Sequence, residues 1–288
     1  FGIDIDKDTI TGLYDQIDER TELFCRDAIL PTKTCRTAIF WRRKFPKVSV
    51  IIANPPWSSE KIYDRQELIS AGFNLVTGQY DSYVLFLELA YEIVDDGGYI
   101  GFIIPDSIFD SQNEHLRRFL TQKMQIRVIA RLGEKIFEEV NRAVTVIVCR
   151  KVVPSEDDIT MCFRLNTEQR KKFLTSDIPL DYFYNRAKHP VKQARFLENE
   201  HCNFDIDTRM DEEQLLAKIK RGCIDWDKTF IFGRGVEISK KGEVAICPSC
   251  GRAQGYTKAQ LAERKKECIF CKKNLPLNNS TLQSIIHD

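Results

Sequence analysis

The sequence lacks the features that mark several specialised classes of protein. It has no apolar run of about 18 residues, the length that a membrane-spanning helix needs, and its amino end has no charged-then-apolar leader. We therefore expect a cytoplasmic protein with no membrane partner. Neither sign of charge dominates, since 43 Lys and Arg stand against 42 Asp and Glu, so any basic binding surface must be local. Ten cysteines in 288 residues are too sparse for a disulfide scaffold and favour metal binding in a reducing compartment.

The pattern of apolar residues predicts an α/β protein with a second, β-rich domain. Up to residue 150, strand-like runs alternate with helical periodicity, which predicts a mostly parallel sheet. Residues 29–47 are predicted to be a basic, aromatic connection, either a loop over the site or a solvated turn. The expected domains are 1–150, a connecting region 151–224, and 225–288. The predicted strands cover 1–5, 22–28, 48–53, 99–104, 126–132 and 143–149, and the predicted helices cover 7–17, 82–94, 113–123, 167–174 and 211–220.

Four residues, Asn54-Pro55-Pro56-Trp57, follow directly on the β-branched run 48–53. Proline cannot donate to a sheet ladder, so a buried strand is predicted to stop here, at the edge where open α/β sheets place ligands. The Asn54 side-chain oxygen and the Pro55 carbonyl would be two fixed acceptors for one planar NH₂ group, and Trp57 would offer a stacking face. The alternative is a stiff turn with Trp57 in the core.

Acidic residues end two earlier strands of the predicted sheet. Asp4 lies at the end of the predicted strand 1–5 and Asp27 at the end of the predicted strand 22–28. A strand-end carboxylate commonly accepts hydrogen bonds from the two hydroxyls of a ribose, and a second one is well placed for the amine of an adenine. Asp4 could equally be a helix cap or a solvated carboxylate.

Residues 1–150 resemble the later part of a gamma-class DNA adenine-N6 methyltransferase. The resemblance rests on the Asn-Pro-Pro-Trp motif and, in the same order along the chain, on Gly2–Asp6, Asp27, Gly97–Pro105 and Leu132–Phe137. It implies a Rossmann-like sheet that binds S-adenosylmethionine through Asp4, Asp27 and Asn54. It also implies that residues 54–57 are catalytic and that Trp57 and Phe137 sandwich a flipped adenine.

Two departures from that family matter. Trp57 stands where the family more often has Tyr or Phe, a change that stacking tolerates. The glycine-rich loop that belongs before Phe1 is absent, so we expect an amino-terminally truncated, incomplete sheet that binds S-adenosylmethionine weakly by itself.

The carboxyl-terminal part contains the pairs Cys247/Cys250 and Cys268/Cys271, with 17 residues between them. Two CxxC turns at this spacing predict a zinc ribbon over residues 245–273, with a structural ion because four thiolates leave no open position. Residues 230–273 carry ten Lys/Arg and four Glu, which predicts a local nucleic-acid-binding surface. The stretch from about Leu215 through Gly235-Val236-Glu237 resembles the start of the target-recognition domain of type IIG and related restriction-modification or phage-defence methyltransferases. We therefore expect residues 225–288 to be a target-recognition region in which the zinc module is an insertion. That resemblance implies double-stranded DNA as a partner, with fused or separate restriction or defence subunits.

Two other functions remain open at this point. RNA methyltransferases and glutamine methyltransferases of release factors also use Asn-Pro-Pro-aromatic to hold a planar NH₂. A non-catalytic zinc nucleic-acid-binding module on an inactive α/β scaffold is the other alternative.

Overall fold

The computed structural model describes residues 1–14, 16–57, 63–78, 80–137, 142–224 and 243–284. Two compact units divide the chain, the first from Phe1 to Lys218 and the second from Ile219 to Asp288. Within the described ranges, no helix is both long and apolar enough to cross a membrane.

Two separate sheets make up the β-structure of the first unit. Strands β1 (Gly2–Asp4) and β2 (Leu23–Cys25) form a parallel pair. The larger sheet has six strands in the order β3-β4-β6-β5-β7-β8. Four of these six run in one direction, while β6 and β8 run the opposite way, so the prediction of a mostly parallel sheet is confirmed. The six strands are β3 (Val50–Ala53), β4 (Tyr99–Pro105), β5 (Gln125–Gly133), β6 (Val144–Arg150), β7 (Ile159–Arg164) and β8 (His189–Lys192).

The helices of the first unit include two that the sequence pattern did not predict before residue 80. One of them, Thr37–Lys44, lies in the range predicted to be a loop or a solvated turn, and that prediction is wrong for these residues. The helices are α1 (Lys7–Leu13), α2 (Thr37–Lys44), α3 (Arg65–Ala71), α4 (Tyr83–Ile93), α5 (Glu114–Lys123), α6 (Thr167–Thr175), α7 (Leu180–Ala187) and α8 (Ala194–Glu198), and the boundary between the units falls within α9 (Glu213–Gly222).

Helix α4 is the central helix of the hydrophobic core. Its apolar residues, from Tyr83 to Ile93, contribute to the clusters on both of its sides, so the helix is buried nearly all round. It also buries the Glu88 carboxylate, which accepts hydrogen bonds from the backbone N–H groups of Asn74 (2.6 Å) and Leu75 (3.0 Å). A buried carboxylate is tolerated only with such partners, so Glu88 fixes the path of the chain between α3 and α4.

Helix α2 is held to the core through two buried residues, Thr37, whose hydroxyl donates to the Ile29 carbonyl oxygen at 2.6 Å, and Trp41. Trp41 is fully buried, and its indole N–H donates to the carbonyl oxygen of Ala28 at 2.8 Å. The ring of Trp41 stacks on that of Phe45, with centroids 5.4 Å apart. The basic residues of the same helix, Arg42–Lys44, stay exposed.

A cavity of about 370 Å³ separates β1 from β3 within the first unit. It is lined by Phe1–Ile3 on one side, by Val50–Ala53 on the other, and by apolar residues of α4 such as Phe86 and Leu89. Among the described strands, β1 pairs only with β2, and β3 pairs only with β4. Each therefore has a free edge, and Ile52 of β3 is 84% exposed.

The second unit is small and mostly β. Strands β9 (Glu243–Ile246), β10 (Ala253–Gln254) and β13 (Leu282–Ser284) form one antiparallel sheet, while β11 (Lys265–Glu267) pairs with β12 (Asn274–Pro276). A short helix, α10 (Lys258–Ala262), precedes β11. The predicted β-rich start of this unit at Phe230 lies outside the described residues.

Candidate active site

The Asn-Pro-Pro-Trp segment begins where strand β3 ends. β3 runs from Val50 to Ala53 and pairs in parallel with β4, so Asn54 lies at a carboxyl end of the sheet, as predicted. The side chain of Asn54 is exposed, Pro55 is buried, and Trp57 is half-buried. An exposed amide beside a buried, φ-restricted proline is a rigid acceptor that a ligand can reach.

Three hydrogen bonds fix the backbone and ring that follow Asn54. The hydroxyl of Ser82, just before α4, donates to the Pro56 carbonyl oxygen. The Trp57 indole N–H donates to the Ile103 carbonyl oxygen of β4 at 3.3 Å, and Arg142 donates to the Trp57 carbonyl oxygen at 2.9 Å. The turn is therefore anchored to α4, to β4 and to the segment after Phe137.

Trp57 and Phe137 are brought together, as the sequence predicts. Their ring centroids are 6.0 Å apart, with an angle of 62° between the ring planes. The chain reaches Phe137 through Gly133, whose φ of +85° is a conformation that favours glycine. Because the rings meet edge to face, a planar group would have to separate them to lie between them.

Asp4 and Asp27 lie side by side at the carboxyl ends of β1 and β2. The Asp4 carbonyl oxygen accepts from the backbone N–H of Arg26 at 2.8 Å, which ties the two strand ends together. Asp4 Oδ1 accepts from the Asp6 backbone at 2.8 Å, and Asp27 Oδ1 accepts from the Ile29 backbone at 2.8 Å. Within the described part of the chain, the Oδ2 atom of each carboxylate has no hydrogen-bond donor. Each acid therefore stabilises its own turn through one carboxylate oxygen.

Tyr63 is a further neighbour of Asp27 that the sequence did not indicate. Its hydroxyl donates to Asp27 Oδ1 at 3.1 Å. Burial, with the nearby Asp27 carboxylate, raises the pKa of Tyr63, so the phenol keeps its proton and remains a donor. It thereby fixes the orientation of the Asp27 carboxylate.

A polar cluster behind the Asn-Pro-Pro-Trp turn was also missed. Asp106 follows β4 and accepts hydrogen bonds from Arg131 of β5 and from the Thr145 hydroxyl of β6. Asp81, next to Ser82, accepts from the Ser107 hydroxyl at 2.9 Å. The rule that selected Asp4 and Asp27, an acid after a strand, also selects Asp106 and could have found it.

The four cysteines of the second unit come together as predicted. All four sulfur atoms lie within 4.8 Å of one another, with 3.7 Å between Cys247 and Cys271 and between Cys250 and Cys268. Four thiolates placed tetrahedrally at the usual Zn–S distance would be about 3.8 Å apart. The cluster therefore fits a zinc ion, and Cys247, Cys250, Cys268 and Cys271 would hold it.

The surroundings of Cys268 favour its thiolate form. The backbone N–H of Cys271 and the buried side-chain amide of Gln254 lower the pKa of Cys268 to about 6. The metal-binding form of cysteine is the thiolate, so these donors act in the direction that binding needs.

Comparison with known proteins finds a family match in the first half of the chain. Residues 2–137 match the Eco57I restriction-modification methylase family. The methylase match includes Asp4, Asp27, Asn54–Trp57 and Phe137, so every residue predicted for methyl transfer falls inside it. It ends before β6, and the four cysteines lie outside it.

Two relatives carry related descriptions. The chain is 23% identical over 184 residues to RM.MjaORFECS2P of Methanocaldococcus jannaschii, a candidate type II restriction enzyme and methyltransferase, covering 64% of this chain and 14% of that protein. It is 28% identical over 123 residues to the type II methyltransferase M.VspI of Vibrio sp. strain 343, covering 42% of this chain and 29% of that protein. The chain thus spans less than a third of the length of each relative.

Solved structures give similar partial matches. The methyltransferase subunit of a type I restriction-modification system from Streptococcus thermophilus superposes with a TM-score of 0.48 at 16% identity, covering 72% of this chain and 47% of that one. The type IIG restriction endonuclease BpuSI superposes with a TM-score of 0.46 at 21% identity, covering 76% of this chain and 27% of that one.

Proposed function

We propose that this chain transfers a methyl group from S-adenosylmethionine to the N6 amine of adenine in DNA, within a restriction-modification or phage-defence system. The observation that carries the proposal is the position of Asn54-Pro55-Pro56-Trp57, which lies at the carboxyl end of β3, anchored on three sides, with Phe137 beside Trp57. The match of residues 2–137 to the restriction-modification methylases supports it.

The role of Asn54 and Pro55 follows from the chemistry of an aromatic amine. The lone pair of such an amine is delocalised into the ring, which makes it a poor nucleophile. When the Asn54 side-chain oxygen and the Pro55 carbonyl oxygen accept hydrogen bonds from its two N–H groups, the lone pair localises on nitrogen and points away from both acceptors. When bound, S-adenosylmethionine would supply an electrophilic methyl group from its sulfonium sulfur, which would leave as a neutral thioether. No strong base is needed, because the methylated amine releases its proton readily.

Trp57 and Phe137 would hold the target base. Extruding a base from a duplex costs a few kcal/mol, and stacking on an aromatic ring returns about 1–3 kcal/mol per base. The edge-to-face contact of the two rings has to open as the adenine enters between them.

The cofactor would be held at the ends of β1 and β2. Asp4 would accept hydrogen bonds from the ribose hydroxyls and Asp27 from the adenine amine, with Asn54 at the methyl group. The residues present fit this assignment, since each acid has one oxygen engaged in its own turn and, within the described residues, no donor to the other. Both sugar hydroxyls and an exocyclic amine are donors, which is what a carboxylate requires.

The second unit would recognise the target. We propose that the four cysteines bind a structural zinc ion and that residues 225–288 contact double-stranded DNA. The 3.7 Å sulfur–sulfur distances and the excess of Lys and Arg in this part of the sequence support the assignment.

The proposal is tested by methyl transfer from labelled S-adenosylmethionine to plasmid DNA, using the intact protein. Asn54→Ala should lower the single-turnover rate about a hundredfold or more, the usual cost of removing one preorganised hydrogen-bonding group from an active site. Asn185→Ala, an exposed asparagine on α7, is the matched control and should keep the wild-type rate. Methylation by the Asn54→Ala protein at the wild-type rate would overturn the role given to the motif.

The choice of substrate is tested with the same assay. Plasmid DNA should accept label at adenine N6, whereas ribosomal RNA and release-factor protein should not. Label in RNA or protein alone would replace DNA by that substrate. An intact protein that binds DNA without transferring any methyl group would be the non-catalytic binding module instead.

A further inference from the structure

Two apolar side chains stand exposed at the tip of the second cysteine turn. Ile269 and Phe270 lie between Cys268 and Cys271, and their exposed fractions are 57% and 46%. The turn itself faces the buried cluster of the second unit through Cys268, which is fully buried. The two apolar side chains of the turn are therefore exposed, while its first cysteine is part of the core.

The turn is held in one conformation. The backbone N–H of Lys272 donates to the Cys268 carbonyl oxygen at 2.9 Å, and the N–H of Cys268 donates to Lys273 at 2.9 Å. From the opposite side, the buried Gln254 accepts from the Ile269 backbone N–H at 3.2 Å and donates to Cys268 Sγ at 3.2 Å. Little conformational entropy remains to be lost when Phe270 contacts a ligand.

A cation from the first cysteine turn covers part of the Phe270 ring. The Arg252 guanidinium carbon lies 4.9 Å from the ring centroid, within the range of a cation–π contact. Phe270 and Ile269 are adjacent in the turn, and Lys272 and Lys273, both exposed, follow closely in the chain. An aromatic ring flanked by cations therefore lies at this end of the unit.

The charge around these residues is positive. Seven Lys and Arg against three Glu lie within residues 243–284, at positions 252, 258, 264, 265, 266, 272 and 273 against 243, 263 and 267. Four thiolates with one Zn²⁺ would subtract two charges from this excess and leave the unit positive. A ligand with a flat apolar part and negative charge on both sides of it complements such a surface, and an unpaired nucleobase between its phosphates has that form.

We propose that Phe270 and Ile269, with Arg252, form a stacking platform for an unpaired nucleobase. Phe270 stacks on the base, Ile269 extends the apolar contact, and Arg252, Lys272 and Lys273 contact the adjoining phosphates. This site is separate from the candidate methyl-transfer site and would stand if no methyl group were transferred.

The test compares the affinity of the intact, zinc-containing protein for two DNA probes by fluorescence anisotropy. One probe is a fully paired duplex, and the other is the same duplex with one unpaired thymidine. Thymine has no exocyclic amine, so it cannot present the NH₂ group that Asn54 and Pro55 would hold together. The wild-type protein should prefer the second probe, and Phe270→Ala should reduce that preference about 5-fold or more, as loss of one stacked base predicts.

Three further variants distinguish stacking from other causes. Phe270→Tyr keeps the ring and should keep the preference, while Leu261→Ala, a 38% exposed apolar residue on α10, should leave it unchanged. Lys273→Gln should weaken binding of both probes equally and reduce the salt dependence. Zinc content of each variant shows that the cysteine turn is intact.

A wild-type protein that binds the two probes equally would overturn the platform, as would a Phe270→Ala protein that keeps the preference with normal zinc content. If the wild-type protein transferred no methyl group but still preferred the probe with the unpaired thymidine, the proposed function would be wrong and the stacking platform would stand.

Discussion

Ser82 is the residue that links the Asn-Pro-Pro-Trp turn to the core helix. Its side chain is buried and donates to the Pro56 carbonyl oxygen, and its neighbour Asp81 accepts from Ser107 after β4. Asn54 and Trp57 lie on the two sides of the peptide group that Ser82 holds. Because catalytic groups must be placed to within a fraction of an ångström, this hydrogen bond bears on activity as well as on stability.

Ser82→Ala should therefore slow methyl transfer by the intact protein. A hydrogen bond of this kind contributes about 1 kcal/mol net, equivalent to roughly a fivefold decrease in rate. Ser107→Ala removes a neighbouring hydroxyl that contacts Asp81 and leaves Pro56 untouched, so it should slow the reaction less. Single-turnover rates and the affinities for DNA measure the two effects separately. Equal rates for the two variants would show that Ser82 has no special effect on the turn.

Individual site residues could be predicted where neighbours in the sequence carry the signal. Asn54 is identified by the strand before it and the prolines after it, and the cysteines by their spacing. Arg131 and Thr145 could not be identified that way, because their contact with Asp106 depends on the register of β4, β5 and β6. That register is set by packing of the whole sheet.

At the scale of elements, the missed helices and strands share a physical cause. Helix α2 is amphipathic only in the sense that Thr37 and Trp41 face inward, so its sequence shows basic residues rather than an apolar stripe. Strand β7 follows the charged stretch 156–158, and β8 contains Pro190, which edge strands tolerate because one side needs no donor. Their structure comes from the sheet they join, and the range predicted as a connecting region contributes both strands.

Within residues 243–284, cysteines form a large part of the buried core of the second unit. The buried cluster there consists of Cys247 and Cys268 with Ala245, Leu275 and Leu277. A small β-unit with few buried apolar residues needs a further source of stability, and a bound zinc ion would contribute folding free energy directly.

Chelation of zinc should therefore unfold the second unit and leave the first unit folded. Calorimetry should show one transition lost and the other unchanged, with one zinc ion released per chain. Cys268→Ser should have the same effect without chelator, because it removes a ligand of the cluster. Cys25→Ser, at an exposed cysteine of β2, is the control and should retain both transitions. Two transitions that both survive chelation would exclude a structural metal.

On the scale of the whole molecule, the free edges at the β1–β3 cavity carry exposed apolar residues. Val50 and Ile52 of β3 are 57% and 84% exposed. A flat, apolar edge with unpaired backbone groups pairs with other strands, including those of a second molecule.

We accordingly expect this 288-residue chain to self-associate as its concentration rises. Ile52→Lys should reduce the association, because a charge on an edge strand disfavours pairing. Val153→Lys introduces the same charge at a 78% exposed valine outside the strands and should leave the association unchanged. Sedimentation velocity over a range of concentrations measures both. Equal effects of the two substitutions would assign the association to net charge.

The closed contact between Trp57 and Phe137 has a consequence for competition by small molecules. A ligand that enters must first break an aromatic pair whose interaction contributes about 0.5–1.5 kcal/mol. A base that is still part of a nucleic acid strand brings other contacts that offset this cost, whereas free adenine or adenosine brings none. Under the proposed function, the free energy needed to separate the two rings therefore disfavours binding of the abundant small adenine compounds of the cell at the methyl-transfer site.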